Sequence, residues 1–282
     1  MNGNNLYFSY QGDAPIIKGM NLTLNSGHIY GLLGQNGAGK TTLLKLIAGL
    51  CFPNAGNLEV LGYLPKNRDP RFLQELFFIP EHFNLPLLSI AEYAKYYGKF
   101  YPRFDQQLFD AITQEFALNP KLLLPHLSHG QKKLLLTAFA LSTRAQLLIM
   151  DEPSNGLDIL NKEIWQRLLV QEIGGEQLVI ISTHQIHDIA QIIDSVLIMH
   201  TGQMLLNASI AELETKLSCG LQTEAPKTDS VFYFEQEARG YAYIKANTEE
   251  AAASIDLKLL FQAVLKNTQI TKLFTGAAHD AS

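Results

Sequence analysis

The chain has 282 residues, a formal net charge of −5 and 47% hydrophobic residues. That length allows one large α/β domain with a small appendage, and the apolar share is enough for a sizeable core. The negative balance argues against a general nucleic-acid role, which favours a basic surface, and the longest apolar stretches, at 134–141 and 147–150, fall far short of a bilayer span.

Residues 6–10 and 16–24 alternate like antiparallel strands joined by the Gln11-Gly12-Asp13 turn. Residues 29–33 read as a buried strand. They run into Gly34-Gln35-Asn36-Gly37-Ala38-Gly39-Lys40-Thr41, followed by Leu43, Leu44, Ile47 and Leu50 at helical spacing. Further strands are expected at 56–61 and 76–79. From 87 to about 141 the pattern turns helical, opened by the Ser89-Ile90-Ala91-Glu92 capping box, with helices at 105–116 and 132–141. Continuously apolar strands follow at 147–150 and 178–181, as parallel strands covered on both faces should be, with a helix at 161–172 between them. A strand at 196–199 and the Thr201-Gly202 turn close the main domain near 206. Residues 207–230 read as a helix and a polar linker, the linker being 218–230 with Pro226. A hairpin at 231–235 and 241–245 and a helix at 256–266 capped by Asp256 form a small accessory domain over 231–274. The tail, 275–282, is expected to be disordered.

The glycines of the loop let backbone N–H groups curl around an anion, and the following helix N-terminus adds partial positive charge. Lys40 can reach β- and γ-phosphates, and the Thr41 hydroxyl can ligate Mg²⁺. The strand at 147–150 ends in Asp151-Glu152, two carboxylates where open α/β sheets bind ligands. Asp151 is the candidate Mg²⁺ partner, and Glu152 the group that accepts a proton from, or orients, an attacking water. The strand at 178–181 similarly delivers His184, which can donate to a γ-phosphate. Ser128 and Gly130 precede a helix and form a second potential anion site.

In this order the phosphate loop, Leu127-Ser128-His129-Gly130-Gln131, the strand ending in Asp151-Glu152-Pro153, Ser154-Asn155-Gly156-Leu157-Asp158 and His184 resemble the ATP-binding-cassette (ABC) ATPases. The likeness covers 6 to about 205. It implies an ABC-type nucleotide-binding domain over 1–206: a phosphate-loop NTPase core with a mainly parallel sheet, an N-terminal antiparallel β subdomain and a helical insertion at about 87–141. The small C-terminal α+β appendage stands outside it. The resemblance further implies ATP and Mg²⁺ as ligands, and a head-to-tail dimer, either of two copies or with a paired ABC subunit. Each ATP would lie between one chain's loop (Gly34, Gln35, Asn36, Gly37, Ala38, Gly39, Lys40, Thr41 and Thr42) and the other chain's Ser128, Gly130 and Gln131. Tyr10 would stack on the adenine and Asp158 would lie at the seam. Lys40, Glu152 and His184 form the implied catalytic set; Thr41, Asp151 and Glu81 form the implied metal set.

Two positions depart from the family pattern. Glu81, in Ile79-Pro80-Glu81-His82, stands where the family usually has Gln; a carboxylate keeps a metal ligand but loses an amide donor. His129 stands where the family prefers Gly, so its side chain must point away from the nucleotide. One cassette without spans or a long coiled-coil insertion fits the motor subunit of a membrane transporter, working with a separate permease at the cytoplasmic face of the membrane. Residues 254–261 resemble an ending common among drug- and polysaccharide-exporter ATPases. The opening Asn2-Gly3-Asn4-Asn5 carries no signal-peptide pattern, and Cys51 and Cys219 match no zinc or redox spacing, which suits a reduced compartment. The aromatics Tyr93, Tyr96, Tyr97, Phe100 and Tyr101 could pack the insertion or form a groove for a permease. The alternative is an ATP-sensing regulatory ABC protein whose appendage binds a protein partner.

Overall fold

The computed structural model describes residues 1–12, 14–227, 230–248, 251 and 253–274. Asp13 of the expected turn and the tail at 275–282 lie outside these. In chain order, β1 (Asn2–Phe8) and β2 (Ile17–Thr23) lead into β3 (His28–Gly34), α1 (Lys40–Ile47) and β4 (Ala55–Glu59). Then come α2 (Pro70–Gln74), β5 (Leu76–Ile79), α3 (Ile90–Tyr97), α4 (Gln106–Glu115) and α5 (His129–Ser142). β6 (Leu147–Asp151), α6 (Ile159–Glu172), β7 (Leu178–Thr183), β8 (Ser195–His200) and β9 (Gln203–Ser209) complete the core. The C-terminal part holds α7 (Ile210–Lys216), β10 (Leu217–Gln222), β11 (Tyr233–Glu237), β12 (Gly240–Ala246), α8 (Leu257–Lys266) and α9 (Gln269–Lys272).

The central sheet runs β5-β6-β7-β3-β8-β9, with only β9 antiparallel to its neighbour. Its strands alternate between two cores, as the two-residue period of a strand requires. Leu32, Leu147 and Ile149 face one side, against α1 and the antiparallel sheet β2-β1-β4. Leu33, Leu148 and Met150 face the other, against the helical insertion and α6. The register matters most for function. Asp151 pairs with Ser182 and Leu33 with Thr183, so β3, β6 and β7 end level with one another.

The insertion is helical because its starts are capped and its apolar residues recur on one side. Ser89 and Glu92 close the expected capping box of α3, Asp105 caps α4, and Ser128 with Gln131 makes a second box at α5. Of the aromatic group, Tyr93 is buried beside Phe139, whereas Tyr96, Tyr97 and Phe100 stay exposed.

Two expectations are corrected in the C-terminal third. The linker expected at 218–230 begins as a strand: β10 pairs with β12 from Leu217 to Gln222, giving the antiparallel sheet β10-β12-β11. Its sequence, with Gly220 and few aliphatics, hides a strand that is built by its partner, not by its own propensity. The boundary expected at 206 falls inside β9. The C-terminal elements also bury Ile244, Leu257, Leu260, Val264 and Ile270 in the same cluster as Val196, Ile198 and Leu206. The cassette and its C-terminal part therefore share one continuous core.

Candidate active site

The level strand ends open onto a cavity of about 560 Å³ lined by Gln35 to Thr42, Glu81, Asp151, Glu152, Asn155 and His184. The loop leaves β3 at Gly34, where an added Cβ would lie 2.8 Å from the Met199 carbonyl. Gly37 and Gly39 adopt φ of +80° and +103°, a region that side chains other than glycine disfavour. These conformations turn the loop and start α1 at Lys40, with Gly39 at the N-cap. The lysine is only 7% exposed, and its Nζ donates to the Gly34 carbonyl at 2.8 Å. Burial holds its pKa below the usual lysine value, while Glu152, Asp151 and Glu81 pull the other way.

Thr41 Oγ1 donates to Asp151 Oδ2 at 2.6 Å, and Ser182 Oγ donates to the other Asp151 oxygen. Glu152, one residue on, is 5% exposed and has a left-handed φ of +49°. Its Oε1 lies 2.9 Å from His184 Nδ1, and its Oε2 accepts from Thr183 Oγ1 at 3.3 Å. The site thus gathers hydroxyl and carboxylate oxygens and one ammonium beside the phosphate loop. It can bind a polyphosphate with a hard cation and offer a carboxylate to a nearby water.

Other expected residues lie elsewhere. Ser128, Gly130 and Gln131 line a separate hollow of about 280 Å³ with Gly156, Leu157 and Asp158. An added Cβ at Gly130 would meet the Gly156 carbonyl at 2.8 Å, so that position has room only for glycine without a shift. His129 stacks on Phe83 with ring centroids 5.7 Å apart, and burial with Lys133, His82 and Lys132 pushes its pKa down. Tyr10 does not line the phosphate-loop cavity. It is 38% exposed and stands edge-on to Phe8 at 4.9 Å.

Three contributors escaped the sequence reading. Ser182 and Thr183 hold the two carboxylates, and their signal was the hydroxyl pair immediately before His184. Lys133 is 1% exposed and donates from Nζ to the Glu152 carbonyl. Its signal was a charge on the apolar face of a helix, which adjacent Lys132 concealed.

The ABC transporter family matches residues 17–155. Over 216 residues the chain is 32% identical to Nod factor export ATP-binding protein I of Rhizobium sp. (strain N33), spanning 74% of this chain and 71% of that protein. The chain belongs to the ABC transporter family. Within it the chain is an ATP-binding cassette and an ATPase. It is also 32% identical over 200 residues to the probable multidrug ABC transporter ATP-binding protein YbhF of Escherichia coli (strain K12), spanning 68% of this chain and 34% of that protein. The fold matches a solved ATP-binding subunit of an ABC transporter with a TM-score of 0.69 at 23% identity, covering 76% of this chain and 91% of that one. A cassette solved as a dimer matches with a TM-score of 0.65 at 21% identity, covering 74% and 97%. Among the described residues no helix is long and apolar enough to cross a membrane.

Proposed function

We propose that this chain is the motor subunit of an ABC exporter, pairing around ATP and driving a separate membrane permease from the cytoplasmic face. The convergence of Lys40, Thr41, Asp151, Glu152 and His184 on one cavity carries the reading. The loop amides and Lys40 grip the β- and γ-phosphates, the ammonium exchanging the Gly34 carbonyl for phosphate oxygen. Glu152 orients the attacking water and takes its proton, and His184 donates to the γ-phosphate. Thr41 and Asp151, with Glu81 beside them, would hold Mg²⁺; the bonded hydroxyl–carboxylate pair and the all-oxygen donor set suit a hard cation. When bound, the ion neutralises charge developing on the phosphates.

A second cassette completes the site in this reading. The Ser128–Gly130 hollow lies apart from the phosphate loop of its own chain, as expected if it serves the partner's nucleotide. Tyr10, two residues past the end of β1 and partly exposed, is free to take an adenine face. Pro70, Leu73, Phe77, Tyr97 and Phe100 line an apolar groove of about 370 Å³ that suits a short helix from the permease. Export is inferred from the relatives, one named for Nod factor export and one for multidrug transport.

Size-exclusion chromatography of Glu152→Gln with MgATP tests the pairing. The variant should elute as a dimer, and adding Ser128→Arg should return it to monomer. A saturated Glu152→Gln variant that stays monomeric would sink the composite site.

A further inference from the structure

The most unusual buried group outside the nucleotide cavity is Lys133. It sits on α5 at 1% exposure, where burial lowers its pKa and the charges of Glu81, Glu152 and Asp151 pull the other way. A buried ammonium is costly unless paired, and here its hydrogen bond goes not to a carboxylate but to the backbone carbonyl of Glu152. That carbonyl belongs to a residue with φ of +49°, a conformation that non-glycine residues rarely hold without outside support. The other side of the same residue is fixed too: Glu152 N–H donates to the Ser182 carbonyl at 3.0 Å. One backbone group is therefore pinned by β7 and the other by α5.

We propose that Lys133 is a positioning residue for Glu152, its ammonium clamping the carbonyl so that the left-handed backbone aims the carboxylate into the nucleotide cavity. The proposal rests on the reading that Glu152 acts on the attacking water. The carboxylate's contacts are directional: Oε1 faces His184 Nδ1 at 2.9 Å and Oε2 accepts from Thr183 Oγ1 at 3.3 Å. Both depend on where the Glu152 Cα–Cβ bond points, and φ sets that direction. With the carbonyl released, the residue relaxes toward common backbone regions and the carboxylate swings off His184 and Thr183. The side-chain hydrogen bonds of Lys40 and Thr41 go to Gly34, Gln35 and Asp151, not to Lys133, so ATP binding should survive its loss while turnover does not.

The test is steady-state hydrolysis of MgATP by the full chain carrying Lys133→Met, which keeps side-chain length and removes the donor. Expected is a fall in kcat of about tenfold or more with KM changed less than about threefold, the split that marks an interaction used in the chemical step. Lys133→Arg, which keeps a cationic donor, should recover a substantial part of kcat. On a Glu152→Gln background, Lys133→Met should lower the residual rate less than about twofold, because residues acting as one unit are non-additive. A folded Lys133→Met enzyme with parental kcat, a loss carried by KM alone, equal losses in Met and Arg variants, or additivity with Glu152→Gln would each overturn the proposal. Should the Met variant fail to fold, Lys133→Leu, which also lacks a donor, is read the same way against Lys133→Arg. The two readings fail separately. Parental hydrolysis by Glu152→Gln removes the role of Glu152 itself; inactive Glu152→Gln with fully active Lys133→Met removes only the clamp.

Discussion

Replacing Glu152 by glutamine changes charge and proton affinity while leaving shape almost untouched. The amide oxygen can accept from Thr183 Oγ1, and the amide nitrogen can face His184 Nδ1, so both contacts at 3.3 and 2.9 Å have a replacement partner. Neutral hydrogen bonds contribute about 1 kcal/mol each, and with both kept the folded state should lose less than about that amount. Nucleotide affinity should hold or improve, because one negative charge leaves a cavity that also contains Asp151 and Glu81. The chemical step is another matter. A positioned acid–base group contributes about 10²- to 10⁴-fold, or roughly 3–5 kcal/mol of barrier. Phosphate release from MgATP, with calorimetric ATP binding on the same preparation, separates the two effects. The expected result is a loss of at least about 10²-fold in kcat with affinity unchanged or tighter. Parental turnover, or a rate loss matched by an equal loss of ATP binding, would refute this account of Glu152.

Three further outcomes follow from the same geometry. Lys40→Ala removes the cavity's ammonium and should weaken ATP binding itself by more than about tenfold, within the range for charge-assisted hydrogen bonds; unchanged calorimetric affinity would contradict the cradle. Because burial depresses the Lys40 pKa below its ordinary 10.5, ATP affinity should begin to fall at a pH beneath that value. In the same window the nucleotide-free fold should gain stability as pH rises, since the unfolded chain then binds more protons than the folded one. Affinity that stays flat past pH 10.5 counts against it. Gly130→Ala places a Cβ 2.8 Å from the Gly156 carbonyl, an overpacking worth about 1–3 kcal/mol. Melting should drop by several degrees, at roughly 2–4 °C per kcal/mol, and an unchanged melting temperature would show that the loop simply moves aside.

The core of the fold was legible because its signals are local. Continuous apolar runs at 147–150 and 178–181 could hardly be anything but buried strands, and the phosphate loop, Asp151-Glu152 and His184 each mark a strand end. That these ends lie level follows from register, which periodicity does not encode. Residues 217–222 were not legible, because a strand with Ser218, Cys219 and Gly220 is stabilised by the pairing β12 supplies and not by its own composition. Lys133 was missed for a related reason: its proposed role depends on the backbone angle of a residue nineteen positions away, which appears only when α5 packs on β5 and brings the lysine to the residue that follows β6. Tyr10, whose place upstream of the loop suggests a base contact, stands edge-on to Phe8 and partly exposed, beside the loop cavity's own lining residues and not among them.

The short segment from Glu152 to Asp158 is where the two halves of the site meet. Glu152 and Asn155 line the nucleotide cavity, whereas Gly156, Leu157 and Asp158 line the hollow beside Ser128 and Gly130. Both ends are tethered. Glu152 is tied to Ser182, and Asp158 caps α6 through Asn161 N–H at 2.9 Å. The middle is tied as well: Asn155 Oδ1 accepts from Gln185 at 3.2 Å, and Lys162 bridges Gln185 and the buried Asp188. Seven residues fixed at three points cannot shift at one end without loading the other. A partner molecule pressing on Asp158 or the Gly130 backbone would therefore move Asn155 and the peptide that carries Glu152. In the proposed pairing, coupling to hydrolysis would run through these hydrogen bonds across one loop. Breaking its middle tether at Gln185 should loosen that coupling while sparing the phosphate grip, because Gln185 is not among the residues lining the nucleotide cavity.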